Sequence, residues 1–130
     1  MARPIATTTG VCFAFPDVLS TPAAPSPVPM PYPNVAQLAQ ADSPADSVTA
    51  GGRPVVHEGS SIPRSSGGEA GTAKGVVQPG YLGKCEFTSF SATVRVNGKR
   101  VVRQGDGTRQ NDGNATGSVM SGLPSVLVGG

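Results

Sequence analysis

The stretch Val94 to Asp106, VRVNGKRVVRQGD, decides the reading of this chain. Val94 and Val96 alternate with polar residues, Asn97-Gly98 follows, then Val101-Val102, and Gly105-Asp106 closes the unit. Asn-Gly between two apolar runs is the strongest short-range hairpin signal, because both turn positions need positive φ. The same grammar occurs at Val48 to Ser60, VTAGGRPVVHEGS, with Gly51-Gly52 as the turn. It occurs a third time, cut short, at Val126 to Gly130, VLVGG. One hairpin module is therefore used at least twice in full and once in part.

Bulk composition fits a thin core held between many turns. The 130 residues include 18 Gly and 13 Pro, close to the roughly 25–30% that marks low complexity. Formal net charge is only +2, so self-repulsion is weak. A small chain of this kind predicts an all-β domain of short strands, stiffened by turns or by help from outside. Two cysteines, Cys12 and Cys85, are too few for a disulfide framework; one disulfide and two buried free thiols both remain open. The start, MARPIATTTG, lacks an apolar signal-peptide run. The expectation is synthesis in the cytoplasm, with any export by a route that needs no cleaved signal.

Along the chain, 1–10 reads as a flexible N-terminal arm and 11–130 as one domain. Val11 to Phe15 reads as a strand with one side buried, ended by Pro16-Asp17. Thr21 to Asn34, TPAAPSPVPMPYPN, holds six prolines in fourteen residues. It must be extended, because proline blocks helix and biases its predecessor the same way. It reads either as a linker or SH3-type ligand, or as a strap anchored by Met30 and Tyr32. A helical turn or two is plausible only in Asn34 to Asp46. Arg64 to Gly75 and Gly105 to Gly117 read as Gly-rich loops, and neither matches a phosphate-binding pattern. Val76 to Phe90 reads as two short strands. Asn114-Ala115-Thr116 is a glycosylation sequon that a cytoplasmic chain would not use.

Catalytic patterns are missing. The lone histidine, His57, reads as a satisfied or surface residue. With Cys12 and Cys85 it gives only three widely spaced candidates for zinc. Asp17, Glu86, Asp106 and Asp112 form no recognisable acid–base pair. The basic residues Arg95, Lys99, Arg100, Arg103 and Arg109 read as a solvated hairpin face, because no aromatics interleave with them as nucleic-acid binding would need.

Four segments in this order carry a family resemblance: FAFPDV (Phe13 to Val18), TPAAPSPVPMPYPNVA (Thr21 to Ala36), SSGGEAGTAKGVV (Ser65 to Val77) and VNGKRVVRQGDGT (Val96 to Thr108). Together they resemble the PAAR-like family, the spike-tip proteins of contractile injection systems such as the type VI secretion system. The resemblance implies a small cone of short β-hairpins with pseudo-three-fold symmetry, in which the hairpin modules are faces and the Pro-rich stretch a rigid strap. It implies a non-enzymatic structural tip that caps a trimeric, VgrG-like spike, one copy per trimer, with transient contact to a target membrane and docking of effectors. Two alternatives stand beside it. One is a toxin carrier, against which the end at Gly130 leaves no room for a catalytic domain. The other is a Pro-rich adaptor for SH3-like partners. The resemblance also bears on metal: PAAR proteins commonly hold a zinc near the apex through three His and one Cys. Relatives place a Cys after Pro-Asp-Val and a His after the Gly-Asp-x-Thr turn; here Leu19 and Gln110 stand there. The expectation is no zinc and no other cofactor.

Overall fold

In a computed structural model of the chain, residues 2–45 and 47–129 are described. Among the described residues twelve strands run in chain order: β1 (Arg3–Ile5), β2 (Val11–Thr21), β3 (Val28–Gln37), β4 (Thr49–Ala50), β5 (Arg53–Pro54), β6 (Ser61–Ile62), β7 (Cys85–Phe87), β8 (Arg95–Val96), β9 (Lys99–Arg100), β10 (Gly107–Gln110), β11 (Ala115–Val119) and β12 (Leu123–Val128). The largest sheet has the order β3-β2-β11-β10-β7-β6, and the remaining strands form the two-stranded sheets β1-β12, β4-β5 and β8-β9. The fold is all-β.

Both full hairpin modules form as read. Gly51-Gly52 turns at φ 59° and 79°, and Asn97-Gly98 at 51° and 80°. The register matches too: Thr49 faces Pro54 as Arg95 faces Arg100. The third module is completed from the other end of the chain. Val128 pairs with Arg3 and Leu127 with Pro4, so β1 supplies the strand that VLVGG lacks. Residues 2–10 are therefore not a loose arm: Ile5 and Ala6 are buried and Arg3–Ile5 is paired; Met1 lies outside the described residues. Their small polar look misled because the partner strand lies more than a hundred residues away. Gly130 lies outside the described residues.

Three segments, one from each module, close on one another around an axis. Ala6 N–H donates to Val102 O (3.0 Å), Val102 N–H to Val56 O (3.1 Å) and Val56 N–H to Ala6 O (3.1 Å). A second ring repeats the rule: Thr8 N–H to Pro54 O (3.1 Å), Glu58 N–H to Arg100 O (2.9 Å) and Gln104 N–H to Pro4 O (2.8 Å). Each bond maps onto the next when residue 6 is replaced by 56 and then by 102. The pseudo-three-fold relation is thus written in backbone bonds, and each segment satisfies its neighbours' polar groups. Side chains follow suit. Ile5, Val55 and Val101 occupy one layer of the core, and Ala6, Val56 and Val102 the next.

Four local readings change. β2 does not end at Pro16-Asp17 but continues to Thr21, because Pro16 falls at a break in register between Ala14 and Asp17, where no ladder bond is required of it. Within β2, Cys12 and Ala14 face the core while Phe13 and Phe15 stay exposed. The neighbouring β11 passes so close that even a Cβ at Gly117 would clash with Ala14, so only small residues fit inside. The helix expected over Asn34 to Asp46 is the tail of β3 followed by a single 3-10 turn, Leu38–Gln40; Asp46 lies outside the described residues. In Val76 to Phe90 only Cys85–Phe87 forms a strand. Val76 and Val77 are exposed and form no second strand: Val76 N–H donates to Val18 O at 3.1 Å and Val77 N–H to Asn114 Oδ1 at 2.9 Å.

The Pro-rich stretch is neither linker nor free ligand. β3 is the edge strand of the sheet, paired with β2 from Val28 to Gln37. Its prolines at 29, 31 and 33 share one phase of the strand, and Val35, in the same phase, donates its N–H outward to Ser66 O at 2.8 Å. The prolines therefore sit where the missing N–H would have pointed away from β2, and they blunt the edge. Tyr32 is tied to Thr21 by a 2.7 Å hydroxyl contact, whereas Met30 is exposed and anchors nothing.

Candidate functional site

Beyond the two rings, β2, β3, β10 and their loops converge on a buried polar cluster built around Asp17. Asp17 on β2, opposite Tyr32, and Asn34 on β3, opposite Ala14, meet across the register break, and Gln110, Asn111 and Asn114 come from the end of β10 and the turn after it. Asn114 Nδ2 donates to Asp17 Oδ1 at 2.6 Å. Asn111 Nδ2 donates to both carboxyl oxygens at 3.1 Å, and Asn34 Nδ2 to Oδ2 at 3.4 Å. Gln110 joins through its amide: Nε2 donates to Asn34 Oδ1 at 2.9 Å, and Oε1 accepts from Thr108 Oγ1 at 2.7 Å. Asn34, Gln110 and Asn111 are fully buried and Asp17 nearly so.

The cluster also fastens residues 77–83. Asn114 Oδ1 accepts from the N–H groups of Val77 (2.9 Å) and Gln78 (3.0 Å), and Asn111 Oδ1 from that of Gly83 (2.9 Å). Ser65 Oγ bridges Asn34 and the Gly83 carbonyl at 2.9 and 2.7 Å. Among the described residues no buried side-chain N or O is left without a partner. A buried polar network satisfied this fully rigidifies what it links. The arrangement holds a shape; its amides have no exposed nucleophile or acid to serve.

The residues that stand where relatives carry metal ligands do not fit a metal. Leu19 offers no donor atom and is fully buried, and a Cβ at Gly68 or Gly71 would clash with its side chain. Gln110 has both ends of its amide engaged. His57 is buried at a different level, its Nδ1 accepting from Gly59 N–H at 3.0 Å. Among the described residues no three His, Cys, Asp or Glu side chains gather as a metal cluster. Cys12 and Cys85 are free thiols packed in the same core. The hydrogen bond between them, with burial, holds the Cys12 thiol far above the usual range.

The basic residues expected on a solvated face are partly internal. Arg103 is buried, and Asp106 accepts from its backbone N–H at 2.7 Å, its Nε at 3.0 Å and its Nη2 at 2.8 Å. Arg3 reaches the same carboxylate at 2.8 Å. Arg100 pairs with Glu58 at 2.8 Å, next to the ring bond between the same two residues, and that hydrogen bonding pulls the Glu58 carboxyl down to about 2. The sequence shows Asp17 and Asp106 only as carboxylates without an acid–base partner, not as structural centres. Each has its partners at separations that no local motif spans, apart from the Arg103–Asp106 turn.

Fold and cluster together define a structural β domain: one hairpin repeated about an axis, closed by backbone bonds and stiffened by a buried amide network. The sequence matches the toxin PAAR-like domain over residues 10–117. It is also 37% identical over 112 residues to the DNase toxin Tse7 of Pseudomonas aeruginosa, an alignment covering 81% of this chain and 29% of that protein. No solved structure matches. The chain belongs to the toxin PAAR-like domain family. It spans under a third of the toxin it resembles. Among the described residues no helix is long and apolar enough to cross a membrane.

Proposed function

We propose that this domain is the tip that caps a trimeric, VgrG-like spike of a contractile injection system, one copy per three spike chains. The observation that carries the reading is the double ring of backbone bonds around the pseudo-three-fold axis. A single chain that repeats one surface three times is suited to a partner with true three-fold symmetry. It would also cover strand ends that are otherwise unpaired and adhesive. The tip's work is mechanical: a stiff, fully bonded point concentrates an applied force on a target membrane. Co-expression with the spike protein and native mass spectrometry test this. One tip per trimer is expected; a persistent equal ratio, or no association, sinks it.

A second reading is compatible with the first: the domain carries a toxin to the spike. The similarity to a named DNase toxin supports it, since the domain there is joined to a much longer chain. The domain itself is structural in either reading. We further propose that the Asp17 cluster does the stiffening that zinc does in relatives. Elemental analysis of purified protein is expected to give zinc well below one equivalent, and a full equivalent would overturn this.

A further inference from the structure

Cys12 and Cys85 belong neither to the amide cluster nor to the two rings, yet both are fully buried and share one core cluster with Ala36, Leu38, Ile62 and Phe87. They come from strands that are not neighbours. In the order β3-β2-β11-β10-β7-β6, two strands separate β2 from β7. In a flat sheet, three spacings of about 4.8 Å would hold the two residues roughly 14 Å apart. The hydrogen bond between their thiols therefore requires the sheet to curl until its concave side closes on itself. Both strands are fixed where they meet: Cys12 is paired with Ala36 on one side and Val119 on the other, and Cys85 with Ile62.

A disulfide needs its two side chains aimed at each other, and thiols in hydrogen-bond contact already are. We propose that Cys12 and Cys85 are a redox pair, whose intramolecular disulfide joins β2 to β7 across the inside of the sheet and locks its curl. A reducing compartment keeps the dithiol, and an oxidising one closes it. The oxidant is a small-molecule disulfide such as oxidised glutathione. Cys85 reacts first. Beyond its strand lie only the two-residue edge strand β6 and a single bridge from Ser61 to Asp42, whereas Cys12 is flanked by β3 and β11. When β6 lifts, the Cys85 thiolate attacks one sulfur of the glutathione disulfide and expels one glutathione. The Cys12 thiolate then attacks the Cys85 sulfur and expels the second. The chain gives up two protons and two electrons, and both glutathiones leave as thiols. Nothing in this step depends on the capping reading.

The whole chain, equilibrated in reduced or oxidised glutathione and then alkylated with iodoacetamide under denaturing conditions, tests this by intact mass. In oxidised buffer the expected product is a monomer that lacks two hydrogens, takes up no alkyl group and yields one peptide linking Cys12 to Cys85. Protein refolded from urea in the same buffer should reach the same product, because access then no longer limits exchange. Its melting temperature should rise by roughly 5–15 °C and return on adding dithiothreitol. Cys12→Ser should trap glutathione on Cys85, and Cys85→Ser should take up far less; equal trapping would overturn the order of attack. Two alkylated thiols in protein refolded in oxidised buffer, a disulfide that joins two chains, or a melting temperature that falls on oxidation overturns the proposal. The wild-type mass decides the matter even where a variant fails to fold.

Discussion

Asp17 is the residue on which most depends. Removing its carboxyl leaves the amides of Asn34, Asn111 and Asn114 short of an acceptor inside the protein. Asp17→Ala should cost about 3 kcal/mol, given roughly 1–3 kcal/mol for each buried group left unsatisfied and the secondary partners these amides keep. Asp17→Asn should recover little, because its new N–H groups would face other donors. Urea unfolding measures both; a loss under about 0.5 kcal/mol in either would contradict the assigned role. Leu19 argues the same way through packing. Gly71→Ala, whose Cβ would meet the Leu19 side chain, should destabilise by about 1–3 kcal/mol. In the sequence Leu19 was legible only as a departure from a family pattern. That Gly68 and Gly71 exist to make room for it was not, since the loop that carries them shows no periodicity.

At the scale of elements, the hairpins were readable and their assembly was not. Asn97-Gly98 and Gly51-Gly52 announce their turns because backbone sterics at positive φ are local. The pairing of β1 with β12 is set by the axis, and nothing in MARPI signals a strand. Glu58 and Arg100 staple two modules where their ring bond already joins them. Because the Glu58 carboxyl is lowered to about 2, the stability it adds is whole above the ordinary carboxylate range and is lost as pH falls through about 2. Thermal melts of wild type and Glu58→Gln should therefore differ at neutral pH and converge in strong acid; a constant gap would refute the linkage. The edge strand β3 makes a separate claim. Replacing Pro29 and Pro31 together by Thr should leave the fold intact but restore outward N–H groups, and light scattering should then detect self-association.

For the whole molecule, the third hairpin is the instructive case. It is built from both ends of the chain, so Arg3 and Val128 are neighbours although the sequence separates them almost completely. Linking Gly130 to Met1 and opening the chain at Asn97-Gly98 should give a folded permutant with a wild-type circular dichroism spectrum, since only turn connectivity changes. An unfolded permutant would mean that the modules are not interchangeable in the way the two rings suggest. The all-β class and the threefold repetition were legible because one hairpin grammar recurs. The amide cluster was not, because its members come from four places in the chain, and Asn, Gln and Gly in a loop look alike whether buried or solvated.

The phase of the prolines in β3 constrains how this protein can vary in length. Every second residue from Pro29 to Pro33 must turn its nitrogen away from β2, and Val35 continues the count. Deleting or inserting one residue in that run would swing the prolines round to face β2 and turn the bonding hydrogens outward, breaking the ladder and exposing a sticky edge in one step. A change of two residues keeps the phase. Related chains should therefore gain or lose length in this segment by even numbers, a parity that a survey of their sequences would reveal without any experiment on the protein itself.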